Sequence, residues 1–216
     1  MTATGLAQGL AAGLQALGLP LTPHQQQQLL DYLGLLHKWN QVYNLTAVRD
    51  LDQMLHQHLL DCLAAVTPLQ QRCPGECDVL DVGAGGGLPA VVFAIACPQW
   101  RILAVDTVAK KAAFIQTVAH QLSLSNLQST HQRVEAMAGA FDVITCRAFA
   151  SLSVFCGSSQ HLLKPDGCWV ALKAKHPQDE LDQLPPSVRV GRVQPLTVPG
   201  LQAQRCLVWM HPQTGV

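Results

Sequence analysis

The chain has 216 residues, of which 49% are hydrophobic and 13% charged, and its formal net charge is zero. This size allows one sizeable domain with an appendage. Neutrality argues against nucleic-acid binding by bulk electrostatics, although it leaves room for a local basic patch. No window approaches the roughly 18 uninterrupted apolar residues of a membrane span, and the N-terminus lacks the basic segment of a signal peptide. We therefore expect a soluble, cytoplasmic protein without a membrane partner.

The cysteines are scattered, and most of them lie in apolar runs. Without an export signal, such thiols are expected to stay reduced and to pack as small hydrophobic groups. The closest pair, Cys73 and Cys77, has no second Cys/His pair at the spacing of a zinc site. The sequence therefore predicts neither disulfides nor a bound metal.

The first seventy residues have the periodicity of helices. Thr22 and Gln25 form a capping box with proline at the first helical position, which predicts the start of a second helix. Asp50 and Gln53 form another possible box, opening a third helix that runs to Leu63. The first helix is indicated by a leucine stripe on one face: Leu6, Leu10, Leu14 and Leu17. We assign residues 1–70 to an N-terminal helical cap.

From residue 79 onward, short apolar strands alternate with helices. This alternation predicts βα units, a mostly parallel sheet and ligands at the carboxyl ends of the strands. The turn KPDG is predicted to precede the strand CWVALKA. After the break at residues 185–186, RVGRVQPL and RCLVWMH predict an antiparallel hairpin at the sheet edge. Residues 71–216 are therefore predicted to form an α/β domain whose C-terminal strand is antiparallel.

The stretch VLDVGAGGGLPA, residues 79–90, places a glycine-rich turn after the first predicted strand. The dinucleotide pattern G-x-G-x-x-G/A fails when counted from Gly83, because the third position is Leu88. Counted from Gly85, the pattern is matched by Gly85, Gly87 and Ala90. This match places a proline at the start of the following helix. The glycines alone do not decide which ligand is bound.

Asp81 stands two residues before the first of these glycines. A pyrophosphate about 4 Å from its carboxylate would suffer roughly 4 kcal/mol of repulsion at an effective dielectric near 20. A cationic ligand would gain a similar amount before its desolvation cost. S-adenosylmethionine carries an ammonium and a sulfonium and no phosphate, so it fits this carboxylate. The other interpretation is that Asp81 caps the glycine turn.

Asp106 ends the second predicted strand, RILAVD. An acid about twenty residues after such glycines can bind ribose hydroxyls. It therefore indicates an adenosine-type ligand, although dinucleotide enzymes share this feature. The other interpretation is that Asp106 only caps the following helix.

Together these features resemble the class I methyltransferases, through D-x-G-x-G-x-G at residues 81–87, Asp106, FDVI in the fourth strand and LLKPDG before the fifth. More narrowly, the chain resembles the ribosomal small-subunit RNA methyltransferase G family, also called glucose-inhibited division protein B. This resemblance depends on blocks that occur in one order: WNQVYNLTAVRD, HLLDCL, LDVGAGGGLPA, DTVAKKAAFI, RVEAM, CRAFASL and WVALKA.

The resemblance implies a helical cap on a Rossmann-like domain that uses S-adenosylmethionine to methylate N7 of one guanine in 16S ribosomal RNA. It implies cofactor contacts at Gly83, Leu88, Val134, Glu135 and Arg147. Joined with the arguments from the residues themselves, the candidate cofactor-binding set is Asp81, Gly83, Gly85, Gly87, Leu88, Asp106, Val134, Glu135 and Arg147.

Guanine N7 has a free lone pair on the major-groove edge, so it needs no general base. We accordingly assign no catalytic acid or base. Arg147 is a candidate for the cofactor carboxylate or for guanine O6, or else it neutralises a nearby acid at the surface. Lys110 and Lys111 either contact RNA phosphate or form a solvated face. Tyr43 and Asn44 either contact an unpaired base or pack within the cap.

Two other functions remain open from the sequence. A methyltransferase that acts on another RNA, a protein or a small molecule would share every cofactor residue. A non-catalytic or NAD-type domain would use the Gly85 frame of the glycine pattern. If the substrate is 16S ribosomal RNA, the neutral charge favours a structured ribonucleoprotein that is recognised by its shape.

Overall fold

The computed structural model describes residues 2–213, in which a helical region precedes a seven-stranded sheet. The α-helices are α1 (Ala3–Leu17), α2 (Pro23–Tyr43), α3 (Leu51–Met54), α4 (Asp61–Leu63), α5 (Val66–Arg72), α6 (Ala90–Ala96), α7 (Ala109–Gln121), α8 (Leu152–Ser159) and α9 (Gln178–Leu181). The strands are β1 (Cys77–Val82), β2 (Trp100–Asp106), β3 (Leu127–His131), β4 (Phe141–Arg147), β5 (Leu163–Lys173), β6 (Val188–Leu196) and β7 (Arg205–Pro212).

The N-terminal helices begin at the predicted caps. The Thr22 hydroxyl accepts a hydrogen bond from the Gln25 N–H, and the Gln25 side chain accepts one from the Thr22 N–H. Asp50 likewise accepts from the Gln53 N–H at 3.0 Å. The third helix differs from the prediction, because a π-helical turn at Leu55–Leu60 separates α3 from α4. Such turns are rare and often occur at functional sites.

The sheet has the strand order β3-β2-β1-β4-β5-β7-β6. The first five strands are parallel, and β7 is antiparallel to both β5 and β6. The α/β class and the edge hairpin are therefore confirmed. The predicted turn KPDG was wrong as a strand boundary, because it lies inside β5. Pairing there skips from Phe141–Leu163 to Val143–Cys168, so the turn residues bulge out of a continuing strand.

One hydrophobic core joins the helical region to a face of the sheet. Leu29, Leu33 and Leu36 of α2 are fully buried in the same cluster as Phe93 of α6 and Phe114 of α7. A second cluster fills the other face, beneath α8. The helical region thus shares its core with the sheet, which fixes its position over the carboxyl ends of the strands.

Several features of the fold bear on the class of protein. Across the described residues, no helix has both the length and the apolar character that crossing a membrane requires. In the same range, no group of three or more acidic, histidine or cysteine side chains is placed to hold a metal ion. All the cysteines are buried free thiols: Cys62, Cys73, Cys77, Cys97, Cys146, Cys156, Cys168 and Cys206.

Candidate active site

Three adjoining cavities lie along the carboxyl ends of the parallel strands. The first, of about 370 Å³, lies between β1, β2 and the segment after β3. The second, of about 260 Å³, lies over the glycine loop, and the third, of about 480 Å³, lies between the helical region and β5 and β7. Ala148 lines all three, and its φ of 52° is unusual for a residue with a side chain. The cavities therefore meet just beyond the end of β4.

The backbone of the glycine loop is occupied by bonds within the protein. The N–H groups of Gly83 and Ala84 donate to the Val105 carbonyl. Those of Gly87 and Leu88 donate to the Ala84 carbonyl. A pyrophosphate-binding loop needs free N–H groups directed at the ligand. Because these four are already used, the geometry disfavours the dinucleotide interpretation of the Gly85 frame.

The helical region holds the glycine loop from above. The Tyr32 hydroxyl donates to the Gly86 carbonyl at 2.6 Å. A Cβ added at Gly86 would lie 2.9 Å from a methyl group of Leu36, so a larger residue there would require the Leu36 side chain to shift. Helix α2 thereby fixes the shape of the loop, which in turn forms the floor of the second cavity.

Asp106 connects the glycine loop with the first cavity, which it lines. Its Oδ2 accepts from the Gly85 N–H at 2.9 Å, and its Oδ1 accepts from the Val108 N–H at 2.9 Å. Each carboxylate oxygen retains a second lone pair for a ligand hydroxyl. The bond to Val108 is a turn just before α7, whose N-terminus has no side-chain cap, so Asp106 does not cap the helix and its carboxylate lines the cavity.

Asp81 lies beneath the loop and is fully buried. Its Oδ2 accepts from the Ala90 N–H at 3.1 Å, so it does cap the helix that follows the glycines. Its Oδ1 has no partner among the described residues, and burial raises the pKa of the carboxyl to about 7. An unsatisfied buried oxygen of this kind fits a ligand with a positively charged donor.

Arg147 projects from the end of β4 and lines the second and third cavities. Its Nη1 donates to Asp61 Oδ2 and to the Gln57 carbonyl, both at 2.9 Å. Its Nη2 lies 3.2 Å from His58 Nδ1. Asp61 also accepts from Arg205 Nε at 2.8 Å. Arg147 therefore does neutralise an acid, as the alternative interpretation held, but the acid is buried and belongs to the cap.

His58 is neutral in this arrangement. Burial and the neighbouring Arg147 lower the pKa of its imidazole to about 4. Its Nε2 lies 2.8 Å from the Thr46 hydroxyl, while its Nδ1 faces Arg147. Its Nδ1 also lies 2.9 Å from the Gln57 carbonyl, which can only accept, so the carbonyl and the guanidinium favour opposite tautomers. The neutral imidazole thus lies beside the guanidinium without adding a second positive charge.

The remaining candidates lie at the rim of the cavities. Val134 and Glu135 line the first cavity, and Lys111 lines the first and second. Tyr43 is 38% exposed, and the Lys110 ammonium lies 5.7 Å from its ring centroid. Packing of Tyr43 within the cap is therefore incomplete. Gly85 and Leu88 line the second cavity, whereas Asp81 and Gly87 lie outside the cavity walls.

The sequence interpretation missed several residues that form the site: His58, Asp61, Thr46, Arg205 and Phe149. His56 and His58 are two residues apart and cannot share a helix face as a metal pair, and the His56 ring instead contacts the Pro199 carbonyl at 3.0 Å. His58 and Asp61 lie in the block HLLDCL, which was the one available signal. Phe149 lies in the block CRAFASL, and Arg205 begins the predicted strand RCLVWMH, but neither pattern indicated that its side chain reaches the site.

The comparisons with known proteins agree with this geometry. The profile of the GidB family, rRNA small subunit methyltransferase G, matches residues 25–208. The protein named ribosomal RNA small subunit methyltransferase G from Acidovorax ebreus (strain TPSY) is 55% identical over 218 residues, covering 97% of this chain and 96% of that protein. Its namesake from Methylibium petroleiphilum (strain ATCC BAA-1232 / LMG 22953 / PM1) is 54% identical over 211 residues, with coverage of 97% and 96%.

The fold is also shared with distant solved structures. Magnesium protoporphyrin IX methyltransferase from Synechocystis PCC 6803, solved with bound S-adenosylmethionine, superposes with a TM-score of 0.57 at 14% identity. That superposition covers 82% of this chain and 90% of the other. A likeness at this identity supports the Rossmann-like methyltransferase fold alone. The extent of the family match and the high identity to its members show that the chain belongs to the rRNA small subunit methyltransferase G family.

Proposed function

We propose that the protein transfers a methyl group from S-adenosylmethionine to N7 of a guanine in 16S ribosomal RNA. The observation that carries the proposal is the meeting of the three cavities at Ala148, beside the guanidinium of Arg147. One cavity suits a nucleoside, the next has Lys111 and Arg147 in its wall and suits the carboxylate of an amino-acid group, and the third is open to an acceptor. Family membership supports the acceptor class, since the relatives are named as small-subunit rRNA methyltransferases.

The residues present fit this cofactor better than they fit a dinucleotide. Asp106 is placed to accept from ribose hydroxyls, and Asp81, buried beneath the glycine loop with its Oδ1 unpaired among the described residues, adds negative charge that favours an ammonium above the loop. When bound, S-adenosylmethionine supplies an electrophilic methyl group on a positively charged sulfur. The protein contributes by orienting the bound groups and by excluding water beneath the cap.

The side chains near the junction suit an acceptor that has no proton to lose. Guanine N7 attacks through its own lone pair. Arg147 stays charged at any working pH. The two N–H donors of its Nη1 are used by Asp61 and the Gln57 carbonyl, which leaves donors on Nη2 and Nε for guanine O6 or for a carboxylate. Arg147 is therefore proposed to orient the acceptor or the cofactor.

The surface around the cavities supports a structured RNA substrate. Tyr43, Asn44 and Lys110 lie exposed at the end of α2 and the start of α7. They are proposed to contact an unpaired base and the nearby phosphate, with Lys111 lying deeper. Because the whole chain is neutral, we propose that the substrate is an assembled small-subunit particle in the cytoplasm.

The test is single-turnover methyl transfer to unmethylated small subunits at saturating cofactor, from about pH 6 to 9. We expect no log-linear rise with pH, and mass mapping should find one 7-methylguanine. Arg147→Lys should raise the activation free energy of methyl transfer by about 1–2 kcal/mol, because the planar guanidinium is lost while the charge is kept. Arg101→Lys, at a distant surface ion pair, is the matched control.

Three outcomes would count against the proposal. A steep rise of the rate with pH would indicate an acceptor that must be deprotonated, such as a ribose hydroxyl. Normal transfer by Arg147→Lys would show that Arg147 does not orient the acceptor or the cofactor. Transfer to a protein or small molecule in place of rRNA would favour the alternative acceptor classes.

A further inference from the structure

A fourth cavity, of about 420 Å³, lies at the β6–β7 edge of the sheet and shares no lining residue with the three cavities of the active site. Helix α5, β6 and β7 supply its walls. We call it the edge cavity, and it is lined by Gln71, Arg72, Gly191, Arg192, Trp209 and His211. No carboxylate lines it.

The positive charge of the edge cavity is not compensated. Within residues 2–213, the arginines that form ion pairs are Arg101, Arg147 and Arg205. None of them lines the edge cavity. Arg189 adds a further cation, because it pairs with His211 across the β6–β7 ladder. Burial, Arg189 and Arg72 lower the pKa of His211, and the Arg72 guanidinium donates to the Asp166 carbonyl but forms no ion pair within the described residues. A chain with no net charge thus concentrates positive charge at one edge.

The guanidinium of Arg192 is held in a defined orientation. Its Cζ lies 4.9 Å from the ring centroid of Trp209, and the indole N–H donates to Gln194 Oε1 at 3.2 Å. The ladder skips Gly191, since Val190 pairs with Met210 and Arg192 with Trp209. A bulge of this kind re-aims the side chain that follows it. The bulge and the stacking therefore pre-organise Arg192 for a ligand.

We propose that the edge cavity binds the phosphodiester backbone of the RNA substrate, at a second contact away from the reacting guanine. The proposal rests on the function proposed above. A stacked guanidinium offers the paired donors that phosphate oxygens accept. A second contact of this kind helps to hold a large RNA, because it adds to the phosphate contacts proposed for Lys110 and Lys111 at the rim of the active site. The edge cavity thereby fixes the orientation of the particle on the enzyme.

The test compares Arg192→Gln with Arg101→Gln, a charge-matched control whose guanidinium is already paired with Glu76 and Asp78. Methyl transfer to unmethylated small subunits is measured over a range of subunit and KCl concentrations. For Arg192→Gln we expect a three- to tenfold higher KM, an unchanged kcat and a salt slope lower by about 0.7–0.9. Affinity for S-adenosylhomocysteine should match the parent protein in both variants.

Each result is decisive. An unchanged KM and salt slope in Arg192→Gln, while the parent methylates rRNA, would overturn this inference and leave the proposed function intact. An equal loss in Arg101→Gln would also overturn it, because the effect would then be bulk charge. A parent protein that binds cofactor but neither binds nor methylates small subunits would overturn the proposed function, and this inference with it.

Discussion

The glycine loop and the Arg147 network border the same cavity but are built in different ways. The loop is held by bonds from the Gly83 and Ala84 N–H groups to the Val105 carbonyl and from the Gly85 N–H to the Asp106 carboxylate, inside one βαβ unit. The network joins side chains from three distant segments, in Asp61, Arg147 and Arg205. A local backbone site is robust to most side-chain changes, whereas a buried charge network depends on every member.

The largest effect is expected from breaking the network at Asp61. This carboxylate is 8% exposed and pairs with both Arg147 and Arg205. Asp61→Ala leaves two largely buried cations facing each other, so the free energy of unfolding should fall by about 3 kcal/mol. Urea denaturation measures it. Asp52→Ala, which removes a half-exposed carboxylate, should cost under about 0.5 kcal/mol. Equal effects would mean that the network contributes nothing specific.

A smaller effect is expected at the glycine loop, on cofactor binding. Asp106→Asn removes the charge while keeping the shape of the side chain. Affinity for S-adenosylhomocysteine should fall by about 1–3 kcal/mol, since a charge-assisted hydrogen bond to the ribose is lost. Isothermal titration calorimetry measures it. Asp142→Asn, at the far end of β4 beside Lys164, is the control. Undiminished affinity in Asp106→Asn would show that the nucleoside does not bind in the first cavity.

The smallest effect is a pH dependence of cofactor affinity that is expected from Asp81. Burial raises the pKa of Asp81 to about 7, so the free carboxyl is largely protonated below that pH. The ligand ammonium favours the ionised form, and binding below pH 7 must therefore release a proton. Affinity for S-adenosylhomocysteine should rise with pH up to about 7, by at most about 1.4 kcal/mol per unit, and then level off.

Calorimetry between pH 5.5 and 8.5, in buffers with different ionisation enthalpies, detects the proton released by Asp81. Asp81→Asn cannot ionise, so its affinity should be lower and free of this dependence. An identical pH dependence in the parent and in Asp81→Asn would show that another group titrates, and it would remove Asp81 from the ammonium site.

Much of the fold follows from local patterns in the sequence. The Thr22 capping box, the alternation of strands with helices and the final hairpin depend on neighbouring residues, so they could be predicted. Asp81 and Asp106 could be placed at the strand ends for the same reason, since parallel strands present their carboxyl ends on one side. The class of acceptor was predicted from the family blocks, because the periodicity of the sequence carries no information about the acceptor.

Only the tertiary structure decided how these parts meet. It brought His58 and Asp61 to Arg147 through a π turn where a regular helix was predicted. N–H groups of the glycine loop donate to carbonyls of the protein. The bulge at Gly191 places Arg192 over the ring of Trp209. These outcomes depend on packing between segments far apart in the chain, and the balance of burial, charge and hydrogen bonding there is set only when the segments are in contact.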